Sequence, residues 1–218
     1  MKKTIFILSI LTIFLISSCS ITQEYHFNKN LSGTYRLEMK MGDLINMIQS
    51  MDTSGNAMSS IDTLDKSFEE VALKYKNAGA KNVKVGWRDD KTTIYINFDF
   101  DNIENLNSVM ENSGKESGMK LFPGNSESLG KFTHKGKRNI FFDFPEFSND
   151  TASMKDLASM KDYINIETVF SFDRRIKSID NKNAVISDDK KSFKFSDKLN
   201  DMLNKDFSMD THVKLKFK

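Results

Sequence analysis

The stretch Val83-Lys84-Val85-Gly86-Trp87-Arg88-Asp89-Asp90-Lys91-Thr92-Thr93-Ile94-Tyr95-Ile96-Asn97-Phe98-Asp99-Phe100 decides the fold class. Val83, Val85 and Trp87 alternate with Lys84, Gly86 and Arg88 ahead of Asp89-Asp90. Ile94, Ile96, Phe98 and Phe100 alternate with Tyr95, Asn97 and Asp99 after it. Successive side chains of a strand point to opposite faces, so this alternation marks strands with one buried face. Two such runs around a short acidic turn predict a β-hairpin.

The same pattern recurs on both sides of this hairpin. Tyr35, Leu37, Met39 and Met41 alternate with Arg36, Glu38 and Lys40. Phe132 and His134 lead into Lys135-Gly136-Lys137, and Ile140, Phe142 and Phe144 follow, giving a second hairpin. Ile164, Ile166, Thr168, Phe170 and Phe172 predict a long strand. Residues 184–187 and 192–195 flank Asp188-Asp189-Lys190 as a third hairpin, and Met209, Thr211, Val213, Leu215 and Phe217 close the chain. Helical spacing joins Ile61, Leu64, Phe68, Val71, Ala72 and Tyr75, with Gly79 as a stop. Ile103, Leu106, Val109 and Met110 predict another helix, capped by Asp101 or Asn102. Shorter helices are expected over 43–51, around Met154, Leu157 and Ala158, and around Leu199, Met202 and Leu203. Hairpins dominate, so the expected class is α+β: a largely antiparallel sheet built of hairpins, with helices packed on one face.

The 218 residues carry 32 basic and 30 acidic side chains, a balance that offers no excess charge to draw nucleic acid. One cysteine excludes an intramolecular disulfide framework and a multi-cysteine zinc site. Two prolines exclude collagen-like and proline-rich classes.

The N-terminus reads as an address. Lys2 and Lys3 precede an apolar run over 5–16, broken only by Ser9 and Thr12. That run is too short to span a bilayer, which takes roughly 20 apolar residues, and has the length of a secretory core. It ends in Leu15-Ile16-Ser17-Ser18-Cys19. This resembles the lipobox of bacterial lipoproteins: an aliphatic residue three before the cysteine, two small residues, then cysteine. The resemblance implies a lipoprotein signal peptide over 1–18, diacylglycerol on the Cys19 sulfur, and often acylation of the new amine. Membrane attachment would then run through lipidated Cys19, and loss of Lys2 and Lys3 leaves 30 basic against 30 acidic side chains. The polar segment 19–30 is expected to be a flexible tether, and 31–218 one α+β domain. Ser20 stands where enterobacterial inner-membrane retention uses Asp, which favours the outer membrane in a two-membrane host.

The mature chain holds no decisive chemistry. Ser-x-x-Lys occurs at Ser117–Lys120, Ser128–Lys131 and Ser187–Lys190, without the companion motifs of penicillin-recognising enzymes. His26, His134 and His212 form no close pair, and surface imidazoles are expected. Asn97-Phe98-Asp99-Phe100-Asp101 opens like a calcium loop, but Asn102 and Ser108 stand where glycine and glutamate are required. Met39 and Met41 have thioethers suited to Cu(I), yet lie on an apolar strand face where core packing explains them. No catalytic residue, metal or cofactor is assigned. The segment 111–131 carries Gly114, Gly118, Gly124 and Gly130 and is expected to be an exposed loop. Met119, Leu121 and Phe122 within it are the candidate contacts for a partner or ligand.

An early strand, a helix, a hairpin running into a helix (94–110) and a late strand-hairpin-strand unit over 164–195 resemble lipoproteins of the LppM type. That resemblance carries no catalytic residues. The expected function is non-enzymatic: a membrane-anchored envelope lipoprotein that binds a protein partner or supports an envelope complex. The alternative is a carrier of a hydrophobic, lipid-like ligand, and an enzyme with dispersed residues is the third.

Overall fold

The computed structural model describes residues 19–42, 56–88, 91–116, 130–144, 161–202 and 207–217. Within them, β1 (Cys19–Phe27), β2 (Gly33–Lys40), α1 (Asn56–Asn77), β3 (Lys81–Trp87), β4 (Thr93–Phe100) and α2 (Ile103–Glu116) come first. Then follow β5 (Lys131–Lys135), β6 (Asn139–Asp143), β7 (Ile164–Phe172), β8 (Ile176–Ile179), β9 (Val185–Ile186), β10 (Ser192–Lys198), α3 (Leu199–Met202) and β11 (Thr211–Leu215). The class is α+β, with two sheets. The larger has the order β3-β4-β2-β1-β7-β10-β9 and the smaller β5-β6-β11-β8. Among the described ladders only β1–β7 is parallel.

The three expected hairpins form: β3–β4, β5–β6 and β9–β10. Ile94, Ile96, Phe98 and Phe100 are all buried, as the opening stretch requires. Burying a side chain of this size contributes about 1.5–3 kcal/mol. Asn102 caps α2, its Oδ1 accepting the Asn105 N–H at 2.7 Å. Gly79 stops α1 with φ of 100°, a left-handed conformation that costs glycine little.

Segment 19–30 is not a tether. Cys19–Phe27 is a central strand, antiparallel to β2 and parallel to β7. Ile21, Gln23, Tyr25 and Phe27 are buried, so residues 19–27 are part of the folded domain. Gln23 at a core position and the polar outward set Ser20, Thr22, Glu24 and His26 mask the alternation. The turn into β2 is tight: a Cβ on Gly33 would stand 1.7 Å from the His26 carbonyl oxygen.

The cover of the inner face also differs from expectation, since helices share it with the small sheet. On one side α1 brings Tyr75 to Phe98 and Phe68 to Trp87, with ring centroids 5.3 and 5.8 Å apart. On the other, Phe132 and Phe142 of the small sheet meet Tyr25 and Phe170. Helix α2 ties the parts together. Asn107 donates to the Phe132 carbonyl at 2.7 Å and accepts its N–H at 2.9 Å, capping the edge of β5. Helix α2 runs to Glu116, so the expected loop does not begin at 111. The expected helices over 43–51 and around Met154 lie outside the described residues.

Candidate functional site

The alternation that fills the core also builds a polar outer face on the seven-stranded sheet. Outward side chains of β3, β4, β2, β1, β7 and β10 line an open concavity of about 860 Å³. Its charges pair across the strands. Arg36 donates to Glu24 at 3.2 Å, Asn82 to Asp99 at 2.6 Å and, on the same face, Lys194 to Glu167 at 2.6 Å. Arg88 pairs with Glu38 and lies over the Tyr95 ring. Paired charges leave no basic stripe of the kind a phosphate backbone needs. Asn97 is the exception, since its buried Oδ1 finds no hydrogen-bond partner.

At the upper end of this face stand Ser171, His26 and Asp173. His26 Nδ1 lies 2.9 Å from Ser171 Oγ, and His26 Nε2 lies 3.5 Å from Asp173 Oδ1. The residue types are those of a nucleophile, base and orienting acid. The surroundings differ from that arrangement in three respects. Strand β7 is flanked by β1 and β10, so its main-chain N–H groups are engaged in the ladders and none remains for an oxyanion. Ser171 Oγ also donates to the Tyr25 carbonyl at 3.3 Å. His26 and Asp173 are about 40% exposed, so water is not excluded.

A second polar cluster is buried inside. Gln23 Nε2 reaches Tyr35 Oη at a weak 3.5 Å, while Tyr25 Oη and Thr168 Oγ1 find no partner. All four residues are buried. Burial pushes the Tyr25 hydroxyl well above the ordinary tyrosine range, with Tyr75 adding to it. Burial raises Tyr35 too, with Tyr25 and Tyr75 contributing. Both are neutral donors at any physiological pH.

The other candidates resolve as follows. Cys19 is half-buried at the start of β1, packed against the core and free of any disulfide. Met119, Leu121 and Phe122 lie outside the described residues, as do Ser117, Lys120 and Ser128. Ser187 and Lys190 form the β9–β10 turn, where the Lys190 N–H donates to the Ser187 carbonyl at 2.9 Å. His26 belongs to β1 and not to a linker. His134 contacts Glu104 at 3.0 Å, and His212 stacks on Phe141 with centroids 4.3 Å apart. Met39 is buried in the core. Phe98 and Phe100 point inward, and Asp99 faces outward to Asn82. Among the described residues no group of three or more His, Cys, Asp or Glu could hold a metal ion. No helix among them is long and apolar enough to cross a membrane. The Ser171–His26–Asp173 cluster escapes sequence reading because β1 and β7 are parallel neighbours 145 residues apart, with no local pattern linking them.

No family model matches the sequence, and no curated protein matches it. In overall layout the chain is similar to the folded domain of LppM from Mycobacterium tuberculosis, solved by NMR. The superposition has a TM-score of 0.47 and 11% sequence identity, and covers 92% of this chain and 91% of that one.

Proposed function

We propose that this chain is a bacterial envelope lipoprotein, anchored through acylated Cys19, whose domain acts by binding a protein partner and not by catalysis. The leader carries the reading: an apolar core of secretory length ends in Leu15-Ile16-Ser17-Ser18-Cys19. Two or three acyl chains hold a protein stably on a bilayer where one would not. The open, charge-paired outer face supports binding over chemistry, since it does not exclude water. Met119, Leu121 and Phe122 are the proposed partner contacts, and Ser20 favours the outer membrane in a two-membrane host.

The test is metabolic labelling with an alkyne analogue of palmitate. Wild type should be labelled and membrane-bound, and Cys19→Ala unlabelled and released. Labelling of Cys19→Ala overturns the anchor. For the partner, a photo-crosslinker at Phe122 should give one discrete adduct that Leu121→Asp abolishes, and an adduct indifferent to that change removes these residues from the contact.

A second reading, binding of a lipid-like ligand with a neutral polar head, is favoured by one observation. Tyr25 Oη and Thr168 Oγ1 are unpartnered in an aromatic interior, where a hydroxyl or carbonyl group would satisfy them. A long-chain alcohol that raises the Tm of wild type, but not of Tyr25→Phe/Thr168→Val, supports it. Equal shifts in both remove it.

A further inference from the structure

We propose that the domain stands end-on against the bilayer, with the sheet end around Cys19 seated in the lipid headgroups. This rests on acylation of Cys19, the reading proposed above, and adds where the folded domain lies. The observation is the missing slack. Cys19 itself is in register with Ile164 of β7, and Ser20 with Lys40 of β2. The anchor atom thus belongs to the first residue of a central strand. A tether would add about 3.3–3.6 Å of reach per residue, and here none lies between lipid and fold. The sulfur has only a side chain and a glycerol unit to span, so this end of the sheet must meet the headgroups.

That end presents what a membrane interface receives. Tyr163, directly before Ile164, is 64% exposed, and a phenol ring with an apolar body and a polar tip suits the headgroup level. Lys40 and Lys198 are exposed, and Lys161 is half-buried. The Asn200 N–H donates to the Lys161 carbonyl at 3.2 Å, joining α3 to the segment before β7. Asp162 and Asp201 are exposed and Asp197 is half-buried, so among the described residues acids stand beside the lysines nearest Cys19. Contact therefore comes from the anchor and Tyr163, and needs no anionic lipid.

The opposite end carries the turn between β1 and β2, whose Lys29 is exposed. At about 3.3 Å per residue, Phe27 stands roughly 26 Å further out than Cys19. Glu24 and His26, in the outer concavity, stand roughly 16–23 Å out. The polar face then runs up from the membrane, with the Ser171–His26 pair facing away from lipid.

The test uses the full lipidated chain in phosphatidylcholine vesicles carrying a headgroup-linked quencher. Acylation consumes Cys19, so one added cysteine takes a fluorophore uniquely, at Asp162→Cys or Lys29→Cys. Both positions are exposed, so folding is preserved. The label at 162 should be quenched several-fold more than that at 29. The difference should persist at about 1 M salt, where the screening length is about 3 Å. A Gly/Ser linker of ~10 residues between Cys19 and Ser20, about 17 Å in root-mean-square span, should erase it. Equal quenching at both positions in the unmodified, acyl-labelled chain overturns the end-on contact and leaves the anchor standing. A wild-type Cys19 that carries no acyl group and reacts with maleimide overturns the anchor, and the contact with it.

Discussion

The two halves of the inner face are covered by different elements, a helix on one side and a second sheet on the other. Toward β3 the strands bring Leu37, Ile94 and Ile96 together with Tyr35, Phe98 and Phe100, and α1 brings Phe68, Val71 and Tyr75. Toward β10 the strands bring Tyr25, Phe27, Phe170, Phe172, Phe193 and Phe195, and the small sheet answers with Phe132 and Phe142. The difference follows from what lies opposite. Packed sheets stand about 10 Å apart, a gap that flat rings fill with few rotatable bonds. Under α1 the rings are fewer per contact and interleave with aliphatic side chains, Tyr75 meeting Phe98 and Phe68 meeting Trp87. Phe170 shows how interlocked the sheet-covered half is. It contacts Tyr25, Phe132, Phe142, Phe193 and Phe195, at centroid distances from 4.8 to 6.3 Å.

The largest expected effect tests that interlock. Phe170→Ala should cost about 4–5 kcal/mol, the upper part of the range for a buried phenylalanine, because five rigid rings cannot collapse into the space. Ile96→Val, in the half covered by α1, should cost about 0.5–1.5 kcal/mol. Denaturant melts of both variants measure the gap. A Phe170→Ala loss below about 2 kcal/mol would mean the rings repack freely, and the contrast between halves would fall.

The interior should also weaken in alkali, around the tyrosines where the two halves meet. Tyr25 and Tyr35 are held in the neutral form by burial, their hydroxyls raised above the ordinary range. A raised folded-state value means that the folded chain holds the proton more tightly than the unfolded one. That contribution is complete below the unfolded value of 10.0 and is lost as pH climbs toward the folded values. The slope is about 1.4 kcal/mol per pH unit for each tyrosine, or about 2.7 for the pair. Stability followed against pH, with tyrosinate absorbance as the second probe, should break above pH 10. The Tyr25→Phe/Tyr35→Phe chain should lose most of that slope. An unchanged slope would show that the two hydroxyls are not the groups titrating.

At neutral pH, removing an unpartnered hydroxyl should help. Tyr25→Phe leaves every ring contact and deletes an unpaired buried donor, so stability should rise by about 1 kcal/mol. Thr168→Val, nearly the same shape, should act in the same direction. A loss in either variant means that its hydroxyl has a partner in solution, which would strengthen the ligand reading.

The halves differ in legibility as well. Strand β4 could be read directly, because each inward residue from Ile94 to Phe100 is apolar and each outward one after Thr93 is Tyr, Asn or Asp. Strand β1 could not. Gln23 interrupts its apolar series, and the strand abuts a leader whose cysteine suggests a tether. What makes β1 a strand is distant: β2 on one side and β7, reached only after 136 further residues, on the other. The second sheet was hidden for the same reason. The β5–β6 hairpin is visible locally, but nothing in Phe132 or Ile140 says that Val213 will pair with Ile140 while the first sheet forms without them. The Ser171–His26–Asp173 cluster needs the parallel β1–β7 register before it exists at all. The proposed leader, by contrast, rests on a local pattern, Leu15-Ile16-Ser17-Ser18-Cys19 after an apolar run, that needs no fold to be read.

The smallest effect lies at the seam between the halves. Glu104 is in the first turn of α2, and His134 Nε2 meets its Oε1 at 3.0 Å. The main-chain N–H of Glu104, foremost, and the His134 side chain hold its carboxyl below the ordinary glutamate value of 4.5. A depressed folded-state value contributes stability above the unfolded value and loses it as pH falls through the folded one. The Glu104 side chain is 69% exposed, so solvent screens most of the benefit, and Glu104→Gln should cost at most about 0.5 kcal/mol at neutral pH. Glutamine keeps an oxygen for His134 but cannot titrate. Stability curves of the two chains should therefore differ slightly above pH 4.5 and converge below it. A cost above about 1 kcal/mol at neutral pH, or one that persists in acid, would make this contact a structural clamp between α2 and β5. The Asn107 bonds to Phe132 would then be only part of what joins the helix-covered half to the sheet-covered one.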